Sequence, residues 1–150
     1  MNKIKALSLG VILTVSLAAC TPAKAPSLQP TLDKHIAAIM DRDFDSYAQT
    51  ISKGETLPLI FPDGTLLESR AEVADFIKTW FAMPGWRTTM EPVSQIIGKD
   101  LAVVLLKTSY RDTPDGPDRY AYLTLTFQLQ DGEWRLVQDQ NTRIDIQTGE

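Results

Sequence analysis

Residues 119–142 read RYAYLTLTFQLQ-DG-EWRLVQDQNT, and this stretch decides the fold. Arg119 to Gln130 alternates with a period of two, as a strand with one buried face does. Asp131-Gly132 is a two-residue hairpin signal, because both central residues of such a turn take positive φ and Asp-Gly accommodates it. With that turn Gln130 faces Glu133. Leu129 then faces Trp134, Phe127 faces Leu136, Leu125 faces Gln138 and Leu123 faces Gln140. One face of the hairpin is apolar, with Gln138 and Gln140 set into its far end. The other face pairs Thr126 with Val137, Thr124 with Asp139 and Tyr122 with Asn141, and is half polar.

Working upstream, strands continue back to Trp86. Leu101 to Arg111 is rich in Val and Leu, and Gly98-Lys99-Asp100 turns the chain before it. Trp86 to Ile97 forms another strand, where Pro92 calls for an edge position or a bulge. Residues 112–118 form a loop of aspartates, prolines and glycine. Before Trp86 the period changes. Ser69 and Glu72 make a capping box, followed by Val73, Phe76, Ile77, Trp80 and Phe81 at helical spacing, with Met83-Pro84-Gly85 as the stop. Leu57, Leu59 and Phe61 alternate as a strand, Pro62-Asp63-Gly64 turns, and Thr65 to Glu68 returns. A first helix is expected to begin after Thr31, with Leu32, Ile36, Ile39 and Met40 as its apolar face. Asp43 caps a second short helix carrying Phe44, Tyr47 and Ile51.

The N-terminus has a different character. Lys3 and Lys5 precede an apolar run from Ala6 to Ala19 that ends Leu17-Ala18-Ala19-Cys20. The run reads as a secretory signal, too short to remain as a spanning helix. The ending resembles the lipobox of bacterial lipoproteins, which implies processing at Cys20 and lipid on that residue. Residues 1–19 are thus a signal peptide. Residues 20–30, with Pro22, Pro26 and Pro30, are a lipidated cysteine and tether. Residues 31–150 are one domain, long enough to bury a core without disulfides. Thr21 after the cysteine, in place of aspartate, resembles sorting to the outer membrane on its periplasmic side in a Gram-negative cell. Lys3 and Lys5 are the only charges before Cys20, so the net charge of −4 becomes −6 on the remainder. An acidic chain without Lys or Arg runs is a poor partner for nucleic acid. Cys20 is the only cysteine, which leaves no thiol nucleophile or zinc cluster downstream.

Helices first and a long sheet after them make an α+β layout. That order, the Asp43-Phe44-Asp45 start of the second helix, the capped third helix and the ending Gly132-Glu133-Trp134-Arg135-Leu136-Val137-Gln138-Asp139-Gln140 resemble the nuclear transport factor 2-like superfamily, in its polyketide-cyclase (SnoaL-like) branch. The resemblance implies a cone in which N-terminal helices pack on a curved antiparallel sheet. It also implies a pocket at the open end and dimers formed through the sheet. Members often carry histidine on the terminal strand where this chain has Gln138 or Gln140. Glutamine donates and accepts hydrogen bonds but is no base near neutral pH.

The pairing makes Gln138 and Gln140 the leading pocket candidates, or else residues of a solvated rim. Tyr47, Trp80 and Trp86 are candidates for an aromatic wall, against plain core packing. His35, the only histidine, lies at the edge of the first helix's apolar arc, as a pocket base or a boundary residue. The parity of Asp139 points it away from the pocket, as a surface or interface charge. Tyr120, Tyr122 and Thr124 share the half-polar face and are the dimer-face candidates. Asp112, Asp115 and Asp118 lack calcium-loop spacing and fit a solvated turn. No catalytic residue, metal site or cofactor is assigned. Three readings stay open: a lipid-anchored envelope protein that binds a small apolar ligand without catalysis, a dimeric envelope interaction module with a vestigial pocket, and an isomerase- or cyclase-type enzyme. An acid or base buried beside Gln138 and Gln140 would favour the third.

Overall fold

The computed structural model describes residues 25–144. The expected signal peptide, Cys20 and the expected tether up to Lys24 lie outside the described residues, as do residues 145–150. Three helices, α1 (Gln29–Asp41), α2 (Phe44–Ala48) and α3 (Arg70–Ala82), accompany six strands. These are β1 (Thr56–Ile60), β2 (Leu66–Ser69), β3 (Arg87–Ile97), β4 (Leu101–Arg111), β5 (Arg119–Gln130) and β6 (Glu133–Ile144). One curved sheet runs in the order β2-β1-β6-β5-β4-β3. All pairs are antiparallel except β1 beside β6, which is parallel.

Local chemistry explains most element ends. The Ser69 hydroxyl accepts from the Glu72 amide, and the Glu72 carboxylate accepts from the Ser69 amide, closing the expected capping box. Asp43 caps α2 by accepting from the Ser46 amide at 3.1 Å. The β5–β6 turn has positive φ at both Asp131 and Gly132, as a two-residue hairpin requires. Pro92 sits on edge strand β3 beside a register shift between Pro92 and Ser94.

The start of α1 corrects the expected boundary. The helix begins at Gln29, and the Leu28 carbonyl accepts from the amides of Thr31 and Leu32 at 3.0 and 3.1 Å. Pro30 belongs to the first turn, where its missing N–H costs nothing. Leu28 is 2 % exposed, and the Trp134 indole donates to the Pro26 carbonyl at 2.8 Å. Packing thus draws Pro26 to Pro30 into the domain instead of the tether.

One face of the sheet carries the core. Leu32, Ile39, Val73, Ile77 and Phe81 from the helices join Val104, Leu106, Leu125, Phe127 and Leu136 from the strands in a single buried cluster. Burying each such side chain contributes about 1.5–3 kcal/mol.

Candidate functional site

Between the helices and the sheet lies a cavity of about 610 Å³, a size suited to a small organic ligand. Ile39, Leu59, Ile77 and Leu123 line it together with Phe61, Phe76, Trp80 and Met90. Its polar lining includes Tyr47, Asp139 and Asn141, while Asp63, Asp112, Arg119 and Arg143 stand where strands end or loops begin.

Asp139 reaches the cavity because β6 carries a bulge. The pairing follows the expected register as far as Phe127↔Leu136, then shifts, so that Thr126 faces Gln138, Leu125 faces Asp139 and Leu123 faces Asn141. Val137 is the extra residue, without a partner on β5. One inserted residue reverses which face every later side chain occupies. Trp134 and Leu136 point into the core, and beyond the bulge Asp139 and Asn141 take that face. Gln138 and Gln140 turn to the other side, half-buried and absent from the cavity lining. This overturns the expectation that they lie on the apolar face, and likewise the expectation that Asp139 points away. Both residue sets on the far half of β6 are polar, so hydrophobic patterning carries no signal for the bulge.

The environment of Asp139 is unusual for a carboxyl group. It is 8 % exposed, and burial pushes its pKa up to about 7, opposed only by the hydrogen bond its Oδ1 accepts from Asn141 Nδ2 at 3.1 Å. Tyr47, held by α2, is 1 % exposed. Its hydroxyl has no partner among the described residues. Burial, and then the charge of Asp139, raise its pKa above the ordinary value, so the hydroxyl keeps its proton and is free to donate it to a ligand.

The other candidates separate clearly. Trp80 lines the cavity, with its indole N–H directed to the Tyr110 hydroxyl at 3.4 Å. Trp86 lies behind it, stacked with centroids 4.5 Å apart, and donates to the Trp80 carbonyl at 2.9 Å. The Arg42 guanidinium covers Trp86 and donates to its carbonyl at 2.7 Å. His35 is fully buried behind Tyr47, ring centroids 5.1 Å apart, and does not line the cavity. The single proton of the Thr50 hydroxyl goes to the Tyr47 carbonyl at 2.7 Å, so His35 Nδ1 must donate to Thr50 Oγ1, also at 2.7 Å. This leaves Nε2 a bare acceptor, and burial lowers the pKa of His35 to about 4. It is a neutral support for Tyr47 and not a boundary residue.

Tyr122 is exposed and Thr124 half-buried on the outer face of the sheet, whereas Tyr120 also borders the cavity. In the 112–118 loop, Asp118 makes a two-pronged pair with Arg111 at 2.6 and 2.9 Å, and Asp112 pairs with Arg119 at 2.5 Å. These aspartates neutralise arginines around the mouth.

The chain belongs to the SnoaL-like domain family, whose profile matches residues 29–141. No curated protein matches it. Among solved structures it is similar to a candidate calcium/calmodulin-dependent protein kinase type II association domain from Thiobacillus denitrificans, with 20 % identity, 80 % of this chain and 97 % of that one covered, and a TM-score of 0.70. It is similar to a candidate dehydratase of the nuclear transport factor 2-like family from Streptomyces avermitilis, with 15 % identity, coverage of 78 % and 93 %, and a TM-score of 0.66. A candidate ketosteroid isomerase from Shewanella frigidimarina shares 18 % identity, with coverage of 75 % and 92 % and a TM-score of 0.62. At such identities the likeness is one of fold, and it fits the cone of helices on a curved sheet.

Proposed function

We propose that the cavity takes a small, largely apolar carbonyl compound and that Asp139 moves a proton on it. One observation carries this reading: a buried carboxyl poised near neutrality faces an apolar cavity beside the unpartnered hydroxyl of Tyr47. A base of that pKa balances deprotonated fraction against basicity at physiological pH. Ionised Asp139 removes a proton from the carbon next to the carbonyl, while the Tyr47 hydroxyl donates to the carbonyl oxygen as negative charge gathers there. Protonated Asp139 returns the proton at another carbon, giving an isomer and restoring the carboxylate. Water exclusion by Phe61, Phe76 and Trp80 strengthens both interactions. The named roles of two structural neighbours, an isomerase and a dehydratase, fit carbon-acid chemistry of this kind. Ligand binding without catalysis accounts less well for a buried carboxyl that faces the cavity.

The test is conversion of a β,γ-unsaturated cyclic ketone to its conjugated isomer. Asp139→Asn is expected to lose about 10²–10⁴-fold in kcat while still binding the product ketone. Binding by the parent without any turnover would return the protein to the non-catalytic class.

Two further parts of the reading concern its place. Cys20 carries lipid and holds the protein to the cell envelope, supported by the apolar run and small residues before it. Two copies pair through the outer sheet face around Tyr122 and Thr124, supported by the 41 % exposure of Tyr122. Intact mass of membrane-extracted protein checks the first, and sedimentation the second.

A further inference from the structure

The part of the molecule least accounted for is the tip of the β3–β4 hairpin. Residues 91–97 of β3 are exposed without exception. They include Val93 at 53 %, Ile96 at 73 % and Ile97 at 57 %, with Leu101 across the turn at 47 %. Four large apolar side chains at one tip are an unusual concentration for a surface in water. They also point both ways. Ile96 pairs with Val103 on the outer face, and Ile97 pairs with Ala102 on the core side. A flat partner on the outer face would cover Ile96 and leave Ile97 in water. A medium entered end-on would take both.

The position of the tip identifies that medium. The Asp100 carbonyl accepts from the Leu129 amide at 2.9 Å, which sets the β3–β4 turn beside the end of β5. Next to it, Trp134 holds the Pro26 carbonyl. The described chain therefore starts at the end of the sheet where the apolar tip projects. From Cys20 to Pro26 the chain reaches at most about 20 Å when fully extended. Lipid on Cys20 would keep this end of the domain close to the bilayer.

We propose that the tip of the β3–β4 hairpin, with Val93, Ile96, Ile97 and Leu101, beds into the bilayer beside the anchored N-terminus; the inference rests on the lipid-anchored reading of Cys20. The geometry also orients the cavity. Asp112 and Arg119 border it at the opposite ends of β4 and β5. The 11 residues of β4 separate the two ends by about 35 Å. The mouth thus opens into the aqueous compartment, away from the membrane, and the ligand arrives from solution.

Photo-cross-linking of the full chain in bacterial membranes tests this, with benzoylphenylalanine at Ile96 and, as the control at the mouth end, at Asp115. Phospholipid adducts are expected several-fold more often at 96 than at 115. Equal frequencies at the two positions, or adducts at 96 to a second copy or another protein, would overturn the proposal. Intact mass of the same samples reads the state of Cys20. Acylated Cys20 without lipid adducts at 96 rejects the tip contact and leaves the anchor standing. Unmodified Cys20 overturns the proposal together with the anchor, whatever the adducts at 96.

Discussion

The two halves of β6 follow different rules. From Glu133 to Leu136 the strand alternates as its hairpin dictates, and Trp134 and Leu136 are buried at 3 % and 0 % exposure. Beyond Val137 neither face is apolar, and a single bulged residue decides which side chains look inward. The near half is fixed by burial of hydrocarbon, which makes register errors costly. The far half is fixed by backbone pairing, to β5 on one side and to β1 on the other, where Leu59 meets Asp139 and Ile60 meets Gln140. The proposed chemistry falls on the half where hydrophobicity does not dictate the side chain.

Moving the carboxyl by one position is the most direct way to break this contrast. The double variant Gln138→Asp/Asp139→Gln is expected to place the carboxyl on the outer face and cost about 10²–10⁴-fold in turnover. The carboxyl resonance of the moved group, followed by NMR, should then titrate near the ordinary value of about 3.9 instead of about 7. Retention of the raised value would mean that facing the cavity is not what raises it. In the near half, Leu136→Ala is expected to cost about 2–5 kcal/mol through the cavity it leaves, read by urea denaturation.

Acidity sharpens the comparison further. His35 holds a folded-state pKa of about 4 against 6.5, so the unfolded chain takes up a proton first and stability falls as pH drops through that window. Asp139 does the reverse. Its folded pKa of about 7 against 3.8 means that the folded chain holds the extra proton, and stability rises as pH drops. Between about pH 5 and 6.5 the two oppose each other, and the parent's stability is expected to be nearly flat. Asp139→Asn should expose the His35 contribution as a loss of up to about 1.4 kcal/mol per pH unit on acidification. A flat profile in that variant would sink the account. The smallest effect belongs to Gln138, which should tolerate Ala within about 0.5 kcal/mol and without loss of turnover.

Legibility in the sequence divides along the same line. The Ser69–Glu72 box, the helical spacing of Val73, Ile77 and Phe81, the Asp131-Gly132 turn and the bulge at Pro92 are local signals, and the structure contains each of them. Tyr47 and Trp80 were legible as wall residues because large aromatics on a helix facing a sheet have few other places to go. The site's acid was not legible. The parity of Asp139 depends on one unpaired valine, and the choice between an Asp–Asn and a Gln–Gln face carries no hydrophobic penalty either way. His35 was misplaced for a related reason: its burial depends on Thr50, fifteen residues on, offering a hydroxyl that no periodicity announces.

The parallel contact of β1 with β6 joins Leu59 to Asp139, whereas each hairpin from β3 to β6 closes on itself through a short connection. Closing a long loop carries the larger entropic cost and is delayed until other contacts reward it. The meander of four strands is therefore expected to form before β1 seals the cavity floor, an order that φ-values in β1 would check. On that order the carboxyl at the centre of the proposed chemistry begins as an ordinary ion in water and acquires its altered acidity only when β1 docks.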